Sequence, residues 1–459
     1  MWSGPRPTVV IGDPQVAHDL LHLKPIIFGS RPRFVVMGEL FAKNGLLLTM
    51  PYGPKFTATK RMMNMSLVAR DLNAHAVQEA ESKKLARDLI NSGYSFERHI
   101  NRYVASVMMC LAYGRRIDNM DDPVLEKIYQ RARYMAQLNT AGRYWAETFP
   151  LLTWIPDFLA PWKREIKRNG AASSQMLYDL AKEAEEPIGY DRAAPKSFAK
   201  NLWEKKKHEP ALNLNEWEIA NAAGSLFNAG SDTSSATLQT FILAMTVFPE
   251  VAAKAQEEID RVVGHDRVPT WEDRQNLPYC RAILKETLRW RPVAVLGGNP
   301  HCSTEDYHYR GHYIPKGTAV MGNLWAIHHN EEYFVDSHRF WPERYTEPEK
   351  VQAFCKPYPN PEGHSSFGWG VRACPGKGLA EDSLFISIVR ILWGFNITKA
   401  RDPATKEEIT PSTFSYTTGF NTKPTPFPCV FTPRSDKHRE ILLQDASAAD
   451  EFLKGYRTG

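Results

Sequence analysis

The segment 216–248, EWEIANAAGSLFNAGSDTSSATLQTFILAMTVF, contains no proline and predicts a single long helix. Asn215, followed three residues later by Glu218, forms the pattern of a capping box, which marks the start of a helix. As one helix the segment would be about 48 Å long. It is apolar on most of its faces, so it is stable only where protein surrounds it. The segment therefore predicts a helix through the centre of a large domain.

Two shorter segments carry the start and stop signals of helices. One runs from Pro249 to Gly264 and the other lies between Pro278 and Pro292, because proline is favoured in the first turn of a helix and cannot continue one. Residues 293–320 contain short runs of Tyr, Val and Thr interrupted by Gly and Pro, which is typical of small strands and turns. The C-terminal stretch TTGFNTKPTPFPCVFTPR has the same pattern.

These patterns predict a mainly α fold, a large helical body with a small β region. No repeat or linker divides the sequence, so we expect a single domain over residues 1–459. The net charge of +5 is too small to favour nucleic acid and suits an acidic partner or an anionic membrane surface. Six cysteines without a C-x-x-C pair argue against a zinc ribbon or a disulfide framework and fit a reducing compartment. The sequence contains no run of eighteen apolar residues, so it predicts no transmembrane helix.

Cys374 lies within SSFGWGVRACPGKG, at the start of a segment with helical periodicity, CPGKGLAEDSLFISIVRILWGF. We therefore expect Cys374 at or just before a helix N-terminus, with Pro375 in an early helical position. The free amides and the dipole of such a terminus stabilise a thiolate. On the residues alone, a buried cysteine at a tight turn and a nucleophile whose base the spacing does not reveal both stay open.

The neighbours of this cysteine suggest a bound ligand. Gly368, Gly370 and Gly376 permit unusual φ angles or the close approach of a flat group. Arg372 supplies a fixed charge suited to an anionic group on that ligand. A structural cysteine would need only apolar neighbours, so the pattern favours a ligand site.

The frame from Phe367 to Gly376, FGWGVRACPG, resembles the haem-binding signature of cytochrome P450 monooxygenases. The resemblance implies the cytochrome P450 fold, haem b as cofactor and Cys374 as the axial ligand of the haem iron. A thiolate in that place pushes electron density toward the iron and favours cleavage of the O–O bond. The cofactor-binding residues that it implies are Cys374, Arg372, His301, Lys60, Phe367, Gly368 and Gly376.

A second motif of the family is matched by Glu286 and Arg289, which share one helix face because they are three residues apart. A surface ion pair is the common alternative for such a spacing and contributes little. The stretch FWPERY supplies Arg344 as the family's third member. The resemblance implies that these three residues form a buried structural network that supports the cysteine loop.

The predicted long helix carries AGSDTS at 229–234, which is similar to the family's oxygen-activation motif. Gly and hydroxyl residues are poor choices in a helix interior, and together they permit a local opening of the helix. The resemblance implies that Thr233 bonds the bound oxygen and that Asp232 relays protons. A helix–helix contact through small residues is the alternative.

The two haem propionates need cations or strong donors. By resemblance, Arg372 and His301 are candidates. Relatives usually have Trp at the position of Phe56 and Arg at that of Lys60. Lys60 can pair with a carboxylate but not bidentately, and Phe56 lacks the indole N–H donor. We therefore expect haem to be held less tightly than in typical members.

The resemblance covers essentially the whole chain, and residues 28–32 and 113–116 are similar to filamentous-fungal members of secondary metabolism. It implies a monooxygenase that inserts one oxygen atom from O2 into a small apolar substrate, with electrons from NADPH through a reductase partner. We expect a monomer at the cytosolic surface of the endoplasmic reticulum, in peripheral contact with the membrane. Such relatives begin with a membrane anchor, a hinge and a first strand, and we expect the anchor and that strand to be missing here.

Two other functions stay open at this point. One is a truncated, non-catalytic protein that binds haem or an apolar ligand, and the other is an O2-independent haem-thiolate isomerase or dehydratase. The pair Asp232 and Thr233 argues against both, because neither function requires proton delivery to oxygen. Loops at 293–298 and 417–420 indicate an apolar, partly aromatic substrate cavity.

Overall fold

The structure of the chain is a computed structural model. It describes residues 2–3, 6–67, 72–90, 95–140, 142–188, 193–209 and 215–458. Helices form most of it, and the strands lie in small sheets. The predicted mainly α class, with a small β region, is confirmed.

The bounds of the elements among the described residues are as follows. The α-helices are α1 (Pro14–Ala17), α2 (Pro25–Phe28), α3 (Pro54–Ser66), α4 (Ala74–Ile90), α5 (Phe96–Tyr113), α6 (Pro123–Leu138), α7 (Trp145–Thr148), α8 (Pro161–Glu183), α9 (Phe198–His208), α10 (Glu216–Val247), α11 (Pro249–Val262), α12 (Pro278–Trp290), α13 (Leu324–His328), α14 (Glu343–Thr346), α15 (Pro348–Val351), α16 (Lys377–Gly394) and α17 (Asp436–Leu453). The strands are β1 (Trp2–Ser3), β2 (Arg6–Ile11), β3 (His301–Cys302), β4 (Tyr307–Tyr309), β5 (His312–Ile314), β6 (Ala319–Gly322), β7 (Phe395–Lys399) and β8 (Cys429–Pro433).

The predicted long helix is α10, which runs unbroken from Glu216 to Val247. Its capping box is present: the Glu218 N–H donates to Asn215 Oδ1 at 2.9 Å, and the Asn215 N–H donates to the Glu218 carboxylate. Helices α5, α8 and α16 pack around α10. The prediction of a central, buried helix is confirmed.

The other predicted helix ends also agree with the structure. Helix α11 begins at Pro249, and Gly264 follows it with φ of +78°, a left-handed conformation that suits glycine. Helix α12 begins at Pro278 and ends before Pro292. Among the described residues no single helix is long and apolar enough to cross a membrane. Helices α10 and α11 reach that length and apolar character only together, and they meet at a bend of 102°.

Among the described residues the β region forms one four-stranded sheet, in the order β1-β2-β6-β3, and two antiparallel two-stranded sheets, β4-β5 and β7-β8. Strand β2 pairs in parallel with β6, Thr8 opposite Ala319, and β3 pairs antiparallel with β6. The small strands predicted within 293–320 and near the C-terminus are confirmed. The single domain without an anchor or a first strand stays a prediction.

Candidate functional site

Cys374 ends a tight loop that begins at Phe367. The Cys374 N–H donates to the Phe367 carbonyl at 2.8 Å, which closes the loop. One turn of 3-10 helix, Gly370–Arg372, precedes the cysteine, and Gly376 is the N-cap of α16. The cysteine therefore lies just before a helix, as predicted. Pro375 precedes the N-cap, so its predicted place in the first helical turn is wrong.

The three glycines of the loop have different tasks. Gly368 and Gly370 have φ of +75° and +52°, but a Cβ on Gly370 would lie 2.5 Å from the Leu21 carbonyl oxygen, so Gly370 serves packing. Gly376 has an ordinary φ of −90°, so of the two uses expected for these glycines only the close approach of a flat group applies to it. A Cβ on Gly376 would lie 3.9 Å from the Cys374 sulfur. The absence of a side chain at Gly376 thus keeps space open beside the sulfur.

Cys374 is an exposed residue, whereas the other five cysteines are buried or half-buried. Burial nevertheless raises the pKa of the Cys374 thiol, against the Gly376 N–H and the Lys60 charge, which favour the thiolate. Cys374 thus meets solvent on one side, while protein surrounds its thiol on the others. Such a sulfur can bind a group that approaches from its open side.

Behind the loop, Glu286, Arg289 and Arg344 meet in the core, each no more than 1% exposed. Arg289 donates to both Glu286 oxygens, at 2.7 and 2.8 Å, and Arg344 Nε lies 3.4 Å from Oε1. The Trp341 N–H also donates to this carboxylate at 2.8 Å. Burial by itself would lower the pKa of Arg289, but Glu286 raises it. The structure therefore brings the three residues of this motif together as a charge network.

His328 joins this network to the cysteine loop, a connection that the sequence analysis missed. Its Nδ1 donates to the Arg289 carbonyl at 3.1 Å, so Nε2 accepts from the Ser365 N–H at 2.9 Å. This requires a neutral ring, and burial lowers the pKa of His328 well below its ordinary value. Ser366 Oγ donates in addition to the Leu288 carbonyl at 2.8 Å. No motif in the sequence marks His328.

Arg372 ties the loop to the N-terminal third of the chain. Its Nε, Nη1 and Nη2 donate to the carbonyls of Gly29, Leu47 and Met50, at 2.6, 3.2 and 2.8 Å. The guanidinium lies 3.7 Å from the centre of the Phe56 ring, a cation–π distance. Phe56 thus supports Arg372 through its ring face. Burial lowers the pKa of Arg372 to about 10.

Lys60 lies beneath the same loop. Its ammonium donates to the carbonyls of Val371 and Ala373, the latter at 3.2 Å. Burial lowers the pKa of Lys60, as does the charge of Arg372, while Cys374 acts in the opposite direction. Lys60 therefore holds the backbone on both sides of Arg372, just before the cysteine.

Arg31 and His301 complete this region, and Arg31 was not identified as a site residue from the sequence. Arg31 is buried, it donates to the Asn299 carbonyl, and its Nε has no hydrogen-bond partner. Burial and the charge of Arg372 lower its pKa to about 9. His301 bonds the Phe28 carbonyl at 2.8 Å, and burial, then the charge of Arg31, lower its pKa to about 3. The imidazole is therefore neutral.

We call Arg31, Lys60, Arg372 and His301 the cation cluster. Among the described residues, no Asp or Glu lies within 4.0 Å of the charged groups of Arg31, Lys60 or Arg372. The main charged neighbour of Arg31 and of Lys60 is Arg372. Buried charges are normally paired. The cluster, with the orphaned Arg31 Nε, fits a ligand that brings negative charge, such as the two carboxylates of haem.

One face of helix α10 is exposed at the middle of the helix. Ala229 and Asp232 are exposed and Thr233 is half-buried, although most residues on either side are buried. Thr233 Oγ1 donates to the Ala229 carbonyl at 2.8 Å, and the helix stays closed through these residues. The local opening that these residues permit is not formed in this structure. The open face itself remains available to a ligand.

The two parts of the predicted site are the Cys374 loop and the pair Asp232 and Thr233. They are connected by helix packing in the core and not by a hydrogen bond. Helix α16, which follows Cys374, packs against α10. Within the described residues no hydrogen bond joins Asp232 or Thr233 to the cysteine loop. The residues fit haem on three counts: an exposed sulfur, space kept free beside it by Gly376, and unpaired cations nearby.

A comparison with protein families finds that the family model described as Cytochrome P450 matches residues 1–424. The chain is 36% identical to the cytochrome P450 monooxygenase verL of Clonostachys rogersoniana, over 96% of this chain and 81% of that protein. It is 33% identical to the cytochrome P450 monooxygenase aneD of Aspergillus aculeatus, over 96% and 82%. It is 31% identical to the cytochrome P450 monooxygenase FrzL of a Cladobotryum species, over 98% and 83%.

Among solved structures, the chain is similar to a zebra fish cytochrome P450 with abiraterone. The TM-score is 0.74 at 24% identity, and the match covers 95% of this chain and 96% of that one. A structure of zebra fish cytochrome P450 with progesterone matches with the same TM-score and identity, over 95% of each chain. At this identity the likeness establishes the fold.

Proposed function

The chain belongs to the cytochrome P450 family of haem-thiolate monooxygenases, and we propose that Cys374 is the axial ligand of its haem iron. The observation that carries this assignment is the exposed sulfur beside the space that Gly376 keeps free. Haem bound through a thiolate supplies an iron that activates O2 for transfer of one oxygen atom to an organic substrate. The relatives named above favour this function over a non-catalytic binder or an isomerase.

We assign the cation cluster to the haem carboxylates. Arg31 offers the unpartnered Nε, and Arg372 retains guanidinium N–H groups beyond those bonded to the backbone. His301 is neutral without an anion nearby, because Arg31 and burial both disfavour its charge. A carboxylate placed here would reverse that balance and favour the imidazolium. Phe367 and Gly368 lie at the start of the loop that the Cys374 N–H closes, and we propose that the flat group packs against them.

Asp232 and Thr233 are proposed to hold and move protons on the open face of α10. The Thr233 hydroxyl gives its hydrogen to the Ala229 carbonyl, so its oxygen is free to accept one. The Asp232 carboxylate is exposed and can exchange protons with water. Glu286, Arg289 and Arg344 serve haem retention, because they support the cysteine loop through His328.

Electrons are proposed to come from NADPH through a reductase. Lys285 and Lys377, at α12 and at the start of α16, are partly exposed and share the carboxylate of Glu362, at 3.8 and 2.5 Å. An acidic partner surface would meet these cations on the side of the molecule where α16 begins. We propose that the reductase docks there, on a monomer.

We propose that the chain contacts the cytosolic surface of the endoplasmic reticulum through the segment 145–159. Its large apolar side chains are between 55% and 80% exposed: Trp145, Phe149, Leu151, Trp154, Phe158 and Leu159. Exposed basic residues follow in the first turns of α8: Arg164, Lys167 and Arg168. Tryptophan beside basic residues is typical of a surface that inserts shallowly into anionic lipid.

Vesicle flotation tests this contact. Replacing Trp154 and Phe158 by serine should release the protein from anionic vesicles. The matched control is Phe354→Ser, because Phe354 is fully exposed outside this segment. Equal loss of binding in both variants would contradict the assignment.

The CO-difference spectrum of the reduced protein tests the haem assignment. We expect a Soret band at the thiolate position, lost in Cys374→Ala and kept in Cys355→Ser, the other cysteine that is not buried. A band that persists in Cys374→Ala would refute the ligand. NADPH consumption with a reductase then separates a monooxygenase from a binder, and binding spectra against a panel of apolar compounds identify its substrate class.

A further inference from the structure

Asp232, the exposed carboxylate at the middle of α10, has one hydrogen-bond partner among the described residues. Asn421 Nδ2 donates to Asp232 Oδ2 at 2.8 Å. A carboxylate only accepts, so the amide must present its NH2 group. The other oxygen, Oδ1, has no hydrogen-bond donor from the described part of the protein. The two residues are 189 positions apart in sequence.

Asn421 lies near the tip of a hairpin loop, residues 416–424, that is fixed at its base. The Thr417 N–H donates to the Lys423 carbonyl at 2.8 Å, and the Thr422 N–H donates to the Val293 carbonyl at 2.8 Å. The Tyr416 hydroxyl lies 3.3 Å from Thr240 Oγ1 on α10. Thr240 is two helical turns beyond Asp232, about 12 Å along the axis. The loop therefore lies along α10 and touches it at two points.

The neighbour of Asn421 faces an apolar region. Phe420 is 40% exposed, and a Cβ on Gly298 would lie 3.7 Å from the end of its ring. Leu296, in the same stretch as Gly298, is 47% exposed. One loop thus places a partly exposed aromatic ring beside Gly298 and an amide on the acid.

We propose that Asn421 is a positioning residue for Asp232, and that it couples occupancy of the apolar region beside Phe420 to the orientation of the acid. A neutral amide fixes the carboxylate without the strong stabilisation of its charge that a cation would give. The other oxygen, Oδ1, therefore stays open to water. Movement of Phe420 by an apolar ligand moves the next residue, and with it the bond to Asp232. This inference rests on the proposed role of Asp232.

A double-mutant cycle on the haem-loaded full chain tests it. NADPH oxidation and hydrogen peroxide release, with a reductase and without added substrate, are measured for Asp232→Ala, Asn421→Ala and both together. If Asn421 acts only through Asp232, the double variant equals Asp232→Ala, and Asn421→Ala alone shifts the peroxide released per NADPH in the same direction, by twofold or more. Additive effects, or an Asn421→Ala variant equal to wild type, would overturn the proposal.

Two controls separate the possible failures. Thr422→Val removes a loop hydrogen bond to Val293 that does not involve Asp232, so its effect should add to that of Asp232→Ala. An Asp232→Ala variant equal to wild type refutes the role of the acid itself and removes the premise of the proposal.

Hydrogen exchange gives a readout that needs no turnover. Loss of the bond should speed exchange of the peptide covering 416–424 in Asp232→Ala, and the exchange of the adjoining strand β8 should stay unchanged. Unchanged exchange in the loop would mean that the contact with Asn421 is not formed in solution.

Discussion

Two groups of buried or half-buried charge flank the Cys374 loop, and they differ in one respect. The group around Glu286 contains its own counter-charge, because one carboxylate faces Arg289 and Arg344. The cation cluster around Arg31 and Arg372 contains none within the described residues. The first group can be stable in the folded chain alone. The second lacks a counter-charge among the described residues, and this contrast is the ground on which we propose it as a ligand site.

The difference has an energetic consequence. Removing one member of a buried ion pair leaves the other charge unpaired and typically destabilises a protein by about 3–5 kcal/mol. Removing one cation from a cluster of cations relieves repulsion instead. Substitutions in the two groups should therefore act differently on the protein without haem.

The largest effect is expected for Glu286→Gln. The change leaves two buried guanidinium groups without a carboxylate, so the unfolding free energy of the apoprotein should fall by about 3–5 kcal/mol. Urea unfolding measures it. The control is Glu347→Gln, which removes an exposed pair with Lys350 and should change stability little. If both variants lose the same stability, the Glu286 network is not the support of the loop.

The stability of the apoprotein should depend on pH through the charge state of His301. Its pKa is lowered from 6.5 to about 3 in the folded protein, so below pH 6.5 the unfolded chain takes up a proton that the folded chain does not. Stability therefore falls as pH decreases, by about 2 kcal/mol between pH 7 and 5 for this one group. His301→Asn should remove that part of the decrease in apoprotein unfolding curves.

The same unfolding curves for the haem-loaded protein test whether the haem carboxylates lie beside His301. Carboxylates beside His301 favour its protonated form, so the decrease due to His301 should be smaller in the holoprotein. An equal decrease with and without haem would place the carboxylates elsewhere.

A smaller effect is expected for Lys60→Met. The ammonium donates to the carbonyls of Val371 and Ala373, and loss of these bonds should destabilise the apoprotein by about 1.5 kcal/mol. The Lys60 charge also favours the thiolate. Its removal should raise the pKa of the Cys374 thiol, measured by the pH dependence of thiol alkylation in a Cys355→Ser background. Lys60→Arg should restore both properties, and an unchanged thiol pKa in Lys60→Met would contradict the contact.

Local patterns predicted much of this molecule. The capping box at Asn215 and the prolines at 249 and 278 give the helix ends, because their signals lie within a few residues of each other. Glu286 and Arg289 share a helix face by spacing alone. The cysteine loop is recognisable because its glycines and Arg372 are adjacent in sequence.

The remaining features depend on contacts between distant segments. Arg31 meets Asn299 across 268 residues, and no pattern near Arg31 shows that its charge will be buried. Asn421 reaches Asp232 only because the hairpin lies along α10. Phe56 looked like a lost hydrogen-bond donor, whereas the fold places its ring under Arg372. Such pairings are set by tertiary packing, which periodicity does not encode.

The most direct test of the contrast between the two groups is Arg31→Met, with apoprotein stability and haem release measured on the same preparation. The variant loses one hydrogen bond to Asn299 and a repulsive charge, so the apoprotein should lose no more than about 1 kcal/mol. Transfer of haem to apomyoglobin should become at least about tenfold faster, as expected for a lost interaction of about 1.4 kcal/mol with a haem carboxylate. Loss of apoprotein stability on the scale of Glu286→Gln, with haem release unchanged, would contradict the account.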